Sequence, residues 1–242
     1  MMEFQAIVLA AGRGRRMGSK EPKVLVSLLS RPLVCHVLDR LAEVGIEHPI
    51  IVVGVGAEKV RQTLGDNYLY AFQQEQLGSG HAVLCAAELA RGKSRNLLVM
   101  CGDSPLFKTQ TIRSLMEAHL FEKPTITLVS AVLDDPRGYG RIIRDSNGEI
   151  MAIVEEVDAT DEEKAVKEIN GGCYAFNAEW LWDNLNLMTE NEAGEKCLTQ
   201  MVDIAIKQHR RVISVSAEPE EVLGVNTYDD LATAERILAS RS

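Results

Sequence analysis

Short, fully apolar runs alternate with stretches of helical spacing through the first half of the chain. Residues 4–10 read as a buried strand, as do 49–53, 96–101 and 125–132, and 68–73 is strand-like. Between them, 32–44 places Leu33, Val37, Leu38 and Leu41 on one helical face. Residues 58–64 and 109–119 repeat that spacing, and 79–90 reads as a helix that Ser79 can cap. Such alternation predicts an α/β fold: a Rossmann-like, mostly parallel sheet with right-handed crossovers and helices on both faces. Ligands of such sheets gather at the carboxyl ends of the strands, so the informative loops follow Ala10, Gln73 and Cys101.

The pattern changes near residue 133. Residues 141–144 and 149–154 alternate around Asp145-Ser146-Asn147-Gly148, and Asn-Gly is a strong hairpin signal. Residues 158–167 form a charged excursion, expected to be a mobile loop. A strand at 169–176 follows, then helices at 180–187 and 199–208, a strand at 211–215 and a last helix at 228–238. No repeat, low-complexity stretch or linker interrupts the chain. The expectation is therefore one domain over 1–242 with a small antiparallel subregion in its mixed second half.

At 242 residues the chain is long enough to bury a sizeable core. A net charge of −9 disfavours nucleic acid and anionic membranes as partners, so a phosphate-bearing ligand needs a local basic site. Five cysteines without a CxxC pair exclude a zinc knuckle and a disulfide framework, and suggest buried thiols in a cytoplasmic protein. The short apolar run at the N-terminus lacks a preceding basic segment and reads as a core strand rather than a signal peptide. No apolar stretch approaches the ~20 residues that span a bilayer.

The first loop holds the densest chemistry. Leu9-Ala10-Ala11-Gly12-Arg13-Gly14-Arg15-Arg16-Met17 runs from the first strand into glycines and basic residues, with Pro22-Lys23 following. Glycines let the backbone approach a phosphate, successive N–H groups can form an anion nest, and arginine and lysine add charge. The same residues would also suit a tight turn with solvated arginines. Met17 stands where the dinucleotide fingerprint needs a third glycine, and no Gly-Lys-Ser/Thr of a Walker loop follows. An NAD-dependent oxidoreductase is thereby disfavoured.

Gln73-Gln74-Glu75-Gln76-Leu77-Gly78-Ser79-Gly80-His81-Ala82 follows a strand and opens a helix. A glutamine amide, with both donor and acceptor, matches the edge of uracil. Asp103, just past the strand that ends at Cys101, can ligate Mg²⁺ or cap the next turn. Farther on stand Gly138-Tyr139-Gly140-Arg141-Ile142, Ile153-Val154-Glu155-Glu156, Glu168-Ile169-Asn170 and Gly224-Val225-Asn226. Glu155 can accept from sugar hydroxyls, and Asn226 can ligate metal or cap the last helix. The tryptophans and the scattered histidines, His81 included, read as structural.

These motifs, in this order and over nearly the whole chain, resemble the sugar-nucleotidyltransferases, specifically the N-acetylglucosamine-1-phosphate uridylyltransferases. The family patterns are LAAGxGxRM with PKVL, QxEQLGTGHA, GDxPL, GYGRI, IVE, EIN and GVN. The resemblance implies uridylyl transfer from UTP to N-acetylglucosamine 1-phosphate for cell-envelope precursors, with Mg²⁺ as cofactor. It implies a nucleotide-binding half over about 1–132 and a sugar-binding half over about 133–242. Leu9, Ala10, Ala11, Gly12, Gly14, Arg16, Lys23, Gln73, Gly78 and Ser79 would then hold the nucleotide, with Arg16 and Lys23 catalytic. Gly140, Glu155, Asn170 and Thr199 would hold the sugar, and Asp103 and Asn226 the metal.

The chain departs from the family's GEYYITD: Lys196-Cys197 replace the tyrosines and Gln200 the aspartate. Acceptor choice is left open by this, as are dTTP as donor and a non-catalytic sensor of nucleotide sugars. Bifunctional relatives continue into a left-handed β-helix that acetylates the amino sugar. Its hexapeptide repeats do not occur in these residues, so that fold and activity are not expected here. Homo-oligomer formation stays open.

Overall fold

The computed structural model describes residues 2–12, 14 and 21–241. Residue by residue, the apolar runs become strands. β1 (Met2–Ala10) pairs in parallel with β4 (Ile50–Val53) on one side and β6 (Ser94–Cys101) on the other. β5 (Leu69–Phe72) extends this parallel set beyond β4. β2 (Ser27–Leu28) and β3 (Arg31–Pro32) form a separate two-stranded antiparallel ribbon.

The second half enters the middle of the sheet rather than its edge. β10 (Glu168–Asn177) lies antiparallel between β6 and β7 (Ile126–Val132), and β11 (Val212–Ser216) runs parallel to β7. The order is β11-β7-β10-β6-β1-β4-β5. β8 (Arg141–Arg144) and β9 (Ile150–Val154) form the expected hairpin, which branches from β10. The β10–β7 register shifts between Asn170 and Tyr174, a bulge at Gly171 and Gly172 that re-aims the strand beside the carboxyl end of β6.

Strands buried on both faces explain the continuous apolar runs. Ile7, Leu97 and Val99 face one core, under α3 (Ser79–Cys85), α7 (Ala178–Asn184) and α8 (Gln200–Lys207). Ala6, Val8, Leu98 and Met100 face the other, under α1 (Leu33–Glu43), α2 (Ala57–Leu64) and α5 (Thr109–Glu122). A third cluster packs Leu28, Leu33 and Leu106 with Val225 and Ala234, the latter on α9 (Tyr228–Arg241).

Three local expectations change. The helix over 79–90 breaks at Ala86 into α3 and α4 (Ala87–Ala90). Ser79 does not cap it: Gly78 occupies the cap position, and the Ser79 hydroxyl turns to a distant backbone N–H. The excursion at 158–167 contains a helical turn, α6 (Asp161–Lys164), held by a capping box between Thr160 and Glu163. Lys167 then returns to the sheet, its carbonyl accepting from Leu133 at 3.0 Å.

Candidate active site

The carboxyl ends of β1 and β6 lie side by side, Leu9 opposite Cys101, and the Gly102 N–H donates to Leu9 O at 2.9 Å. Asp103 therefore emerges next to the loop that leaves β1. The short 3-10 turn Lys23–Leu25 brings Lys23 beneath Gly14. Gly14 sits at φ +59°, and a Cβ there would fall 2.8 Å from Lys23 Cβ, so this approach requires glycine.

Lys23 is buried to 8% exposure, and its ammonium donates to Asp103 Oδ2 and, at 2.8 Å, to Asn226 Oδ1. Residues remote in sequence thus share one cation. The backbone supports the arrangement: Val225 N–H donates to Asp103 O at 3.0 Å. The capping readings of Asp103 and Asn226 are not what the geometry shows. The Asp103 carboxylate takes the lysine rather than a helix terminus. The start of α9 is capped by Thr227 Oγ1, which accepts from Asp230 N–H at 3.1 Å, leaving the Asn226 carbonyl oxygen for Lys23.

Lys23 and Asp103 line a cavity of about 400 Å³ with Leu9, Ala11, Gly12, Gly14, Gln73, Gly78, Ser79 and Cys101. Ala10 packs its side chain into the core beneath. Arg16 lies outside the described residues. Gln73 is 3% exposed; its Nε2 donates to Gly78 O at 3.0 Å and lies 3.1 Å from His81 Nδ1. His81, read from the sequence as structural, thus orients the glutamine.

Beside this cavity is a smaller one of about 170 Å³, lined by Glu155, Asp158, Cys197, Thr199 and Asp203 among others. Glu155 follows β9, and Thr199 Oγ1 donates to its Oε1 at 2.7 Å. Burial pushes the Glu155 carboxyl above the usual range, opposed by the Thr199 hydrogen bond. Gly140 precedes β8, and its carbonyl accepts from Asn170 N–H at 2.9 Å. Asn170 Nδ2 donates to the Tyr174 hydroxyl at 2.5 Å, across the β10 bulge. Burial, and then the nearby Glu155, raise the Tyr174 phenol well above its ordinary value. Tyr174 therefore stands by both Asn170 and Glu155, and keeps its proton.

Sequence reasoning missed Tyr174, Asp203 and Arg141. Arg141 is buried, and its guanidinium donates to Tyr139 O and pairs with Glu156 Oε2 at 2.6 Å, fastening the acceptor loop. For Tyr174 the available signal was a polar group in the apolar end of β10; Asp203 lies on α8, and Arg141 stands in the motif at 138–142 without a role assigned to it. Burial raises the Cys101 and Cys197 thiols to about 12, and Cys173 higher still, which disfavours the thiolate.

A buried lysine held by a part-buried carboxylate, at the carboxyl edge of a Rossmann-like sheet, is the setting expected of a nucleotidyltransferase site. The family profile of the MobA-like NTP transferase domain matches residues 6–159, and the chain belongs to that family. It is 44% identical over 243 residues to bifunctional protein GlmU of Heliobacterium modesticaldum, covering 100% of this chain and 53% of that protein. It is 45% identical over 244 residues to the protein of the same name from Geobacillus sp. strain WCH70, with the same coverage. The chain thus spans about half the length of the curated relatives it matches.

Among solved structures, it superposes on a putative glucose-1-phosphate thymidylyltransferase from Bacillus anthracis in complex with a sucrose. There the TM-score is 0.81 at 19% identity, covering 97% of this chain and 94% of that one. A UDP-glucose pyrophosphorylase complexed with UDP-glucose matches with TM-score 0.80 at 16% identity, covering 100% of both chains. These two likenesses establish the fold. No helix among the described residues is long and apolar enough to cross a membrane.

Proposed function

We propose that this chain transfers the uridylyl group of UTP to N-acetylglucosamine 1-phosphate, releasing pyrophosphate. The observation that carries the reading is the Lys23 ammonium held by Asp103 and Asn226 at the rim of a nucleotide-sized cavity, next to the buried Glu155–Thr199 pair. A sugar phosphate oxygen forms a bond to the α-phosphorus while the α–β bridge breaks, and pyrophosphate leaves. Phosphate is nucleophilic at neutral pH, so positioning and charge neutralisation suffice. Lys23, together with Arg16, is assigned to the charge that grows on the α-phosphate and the leaving group.

The Gln73 geometry bears on the base. With Nε2 donating to Gly78 O and set against His81, the carbonyl oxygen is the group offered to a base, and that acceptor suits the ring N–H of uracil or thymine. Cytosine presents an acceptor at that ring position and is disfavoured. UTP and dTTP are not separated by this contact, so dTTP is the second reading.

Mg²⁺ is the proposed cofactor. One carboxylate and one amide oxygen converge on a resident cation, and among the described residues no group of three or more His, Cys, Asp or Glu forms a protein cage. Two hard oxygens suit a cation that keeps waters and takes its other ligands from substrate phosphates. Asp103 and Asn226 would hold it, and it would neutralise phosphate charge. Asp103 Oδ2 and Asn226 Oδ1 accept from Lys23, which would share these oxygens with the metal or give them up to it.

Residues 1–242 act as one unit in this proposal, with the nucleotide held mainly by 1–132 and the sugar by 133–242. The central position of β10 supports that reading. A cytoplasmic setting fits the substrates. The test is pyrophosphate release with UTP, N-acetylglucosamine 1-phosphate and Mg²⁺, against dTTP, CTP and glucose 1-phosphate. No release with any pair would refute the proposal and favour a sensor.

A further inference from the structure

Ser79 lines the nucleotide cavity, and its hydroxyl also reaches a distant segment of the chain. Its Oγ accepts from Leu198 N–H at 2.9 Å, across 119 residues of sequence. Two backbone bonds flank this one: Lys196 N–H to Leu77 O at 2.8 Å, and Gly80 N–H to Lys196 O at 2.8 Å. Residues 77–80, which follow the base-reading glutamine, are thereby laced to residues 196–198. The contact is close. Gly78 sits at φ +98°, and a Cβ there would lie 2.6 Å from Lys196 O. Thr199 comes next in the chain and donates to Glu155 at 2.7 Å.

We propose that Ser79 is a positioning residue for the acceptor sugar phosphate: it sets the segment that carries Thr199, and through it Glu155. Lys196 is held by main-chain groups on both sides. Among the described residues 77–80, Ser79 is the one whose side chain reaches Leu198, the residue before Thr199. Leu198 is buried, and its N–H has no ready access to water once that acceptor is removed. The lacing runs through main-chain atoms of 196, so the side chains of Lys196 and Cys197 are free to differ from the aromatic pair of the family pattern. Loop 73–80, ordered by the base, and the carboxylate that receives the sugar then move as one piece.

This inference rests on the proposed acceptor role of Glu155 and Thr199, and steady-state kinetics of the chain separate the two. Ser79→Ala is expected to raise the KM for N-acetylglucosamine 1-phosphate on the order of tenfold, with the KM for UTP within about twofold. Ser79→Thr keeps the hydroxyl and is expected to restore both values. Should the alanine variant not fold, as judged by thermal denaturation, Ser79→Cys keeps the volume with a weaker acceptor and serves the same comparison. A rise in the UTP constant alone, or no change in either, overturns the proposal. Glu155→Gln and Thr199→Val run beside it. If they raise the acceptor KM and Ser79→Ala does not, only the Ser79 role fails. If they leave it unchanged, the acceptor assignment itself is wrong.

Discussion

The two halves of this molecule build their sites by different means. In the first, parallel strands end together, and the loops that leave them carry functional groups within short motifs: Gly14 and Lys23 after β1, Gln73 after β5, Asp103 after β6. In the second, an antiparallel strand is inserted into the sheet and bulged, and its polar groups are aimed by other residues: Asn170 by Tyr174, Glu155 by Thr199, the Gly140 loop by Arg141. In the proposed reading the donor side acts through the Lys23 charge, the acceptor side through groups that neighbouring residues hold in place. Loss of a donor group should therefore strike turnover, and loss of an acceptor support should strike affinity.

The sharpest break of that contrast comes from Lys23. Lys23→Ala should reduce turnover on the order of 10²–10³-fold, as for loss of a preorganised electrostatic contact, with a much smaller effect on thermal stability. Pyrophosphate release together with a melting curve checks both, and wild-type turnover would remove Lys23 from the chemistry. Lys23→Met should in addition let the nucleotide-free protein bind Mn²⁺ more tightly than the wild type, because the resident cation is gone from between Asp103 and Asn226. Titration followed by electron paramagnetic resonance reads this directly.

Gly78→Ala comes next. A Cβ 2.6 Å from Lys196 O, on backbone at φ +98°, should destabilise the fold by about 2 kcal/mol and damage both substrate affinities, since the two halves are laced there. Chemical denaturation with kinetics on both substrates would show it; an effect on one substrate alone would mean the halves are independent.

A third effect concerns stability and pH. His119, on α5 against Phe4, is 3% exposed and bonded to Thr127 Oγ1 at 2.9 Å; burial lowers it from 6.5 to about 4. The folded state favours the neutral ring, so this contribution is complete above about pH 6.5 and is lost as pH falls through 6.5 toward 4. Up to about 3 kcal/mol is at stake. Urea unfolding at pH 7 and pH 4.5 should show a steeper loss for the wild type than for His119→Gln.

The smallest effect is on the thiols. Because burial raises Cys35, Cys85, Cys101, Cys173 and Cys197 alike, iodoacetamide at pH 7.5 should leave the native enzyme's activity nearly unchanged. Rapid inactivation would show that Cys101, at the nucleotide cavity, is reached as a thiolate.

Much of the donor site was legible because its chemistry is contiguous. The buried run 4–10 had to be a strand, and the glycines and Lys23 after it had to lie at the strand's end. Asp103 could be placed by the same logic. Ser79 shows where that logic stops. A serine after glycine at a helix start satisfies the local rule for a cap, yet Gly78 takes that place and Leu198 takes the hydroxyl. Asn226 shows the reverse: the cap that its position suggested is supplied by Thr227. Tyr174 and Arg141, hidden in strand patterns, became recognisable only through their partners.

Hydrophobic spacing and short polar motifs by themselves determined the strands, most helices, the edge of the sheet where ligands gather and the side chains offered there. Only the tertiary structure decided which of those groups face one another: β10 between β6 and β7, Lys23 between Asp103 and Asn226, residues 77–80 against 196–198. Periodicity records whether a residue is inside or outside. A hydrogen bond is chosen by proximity among many equivalent donors and acceptors, and that proximity is set by the order of strands in the sheet.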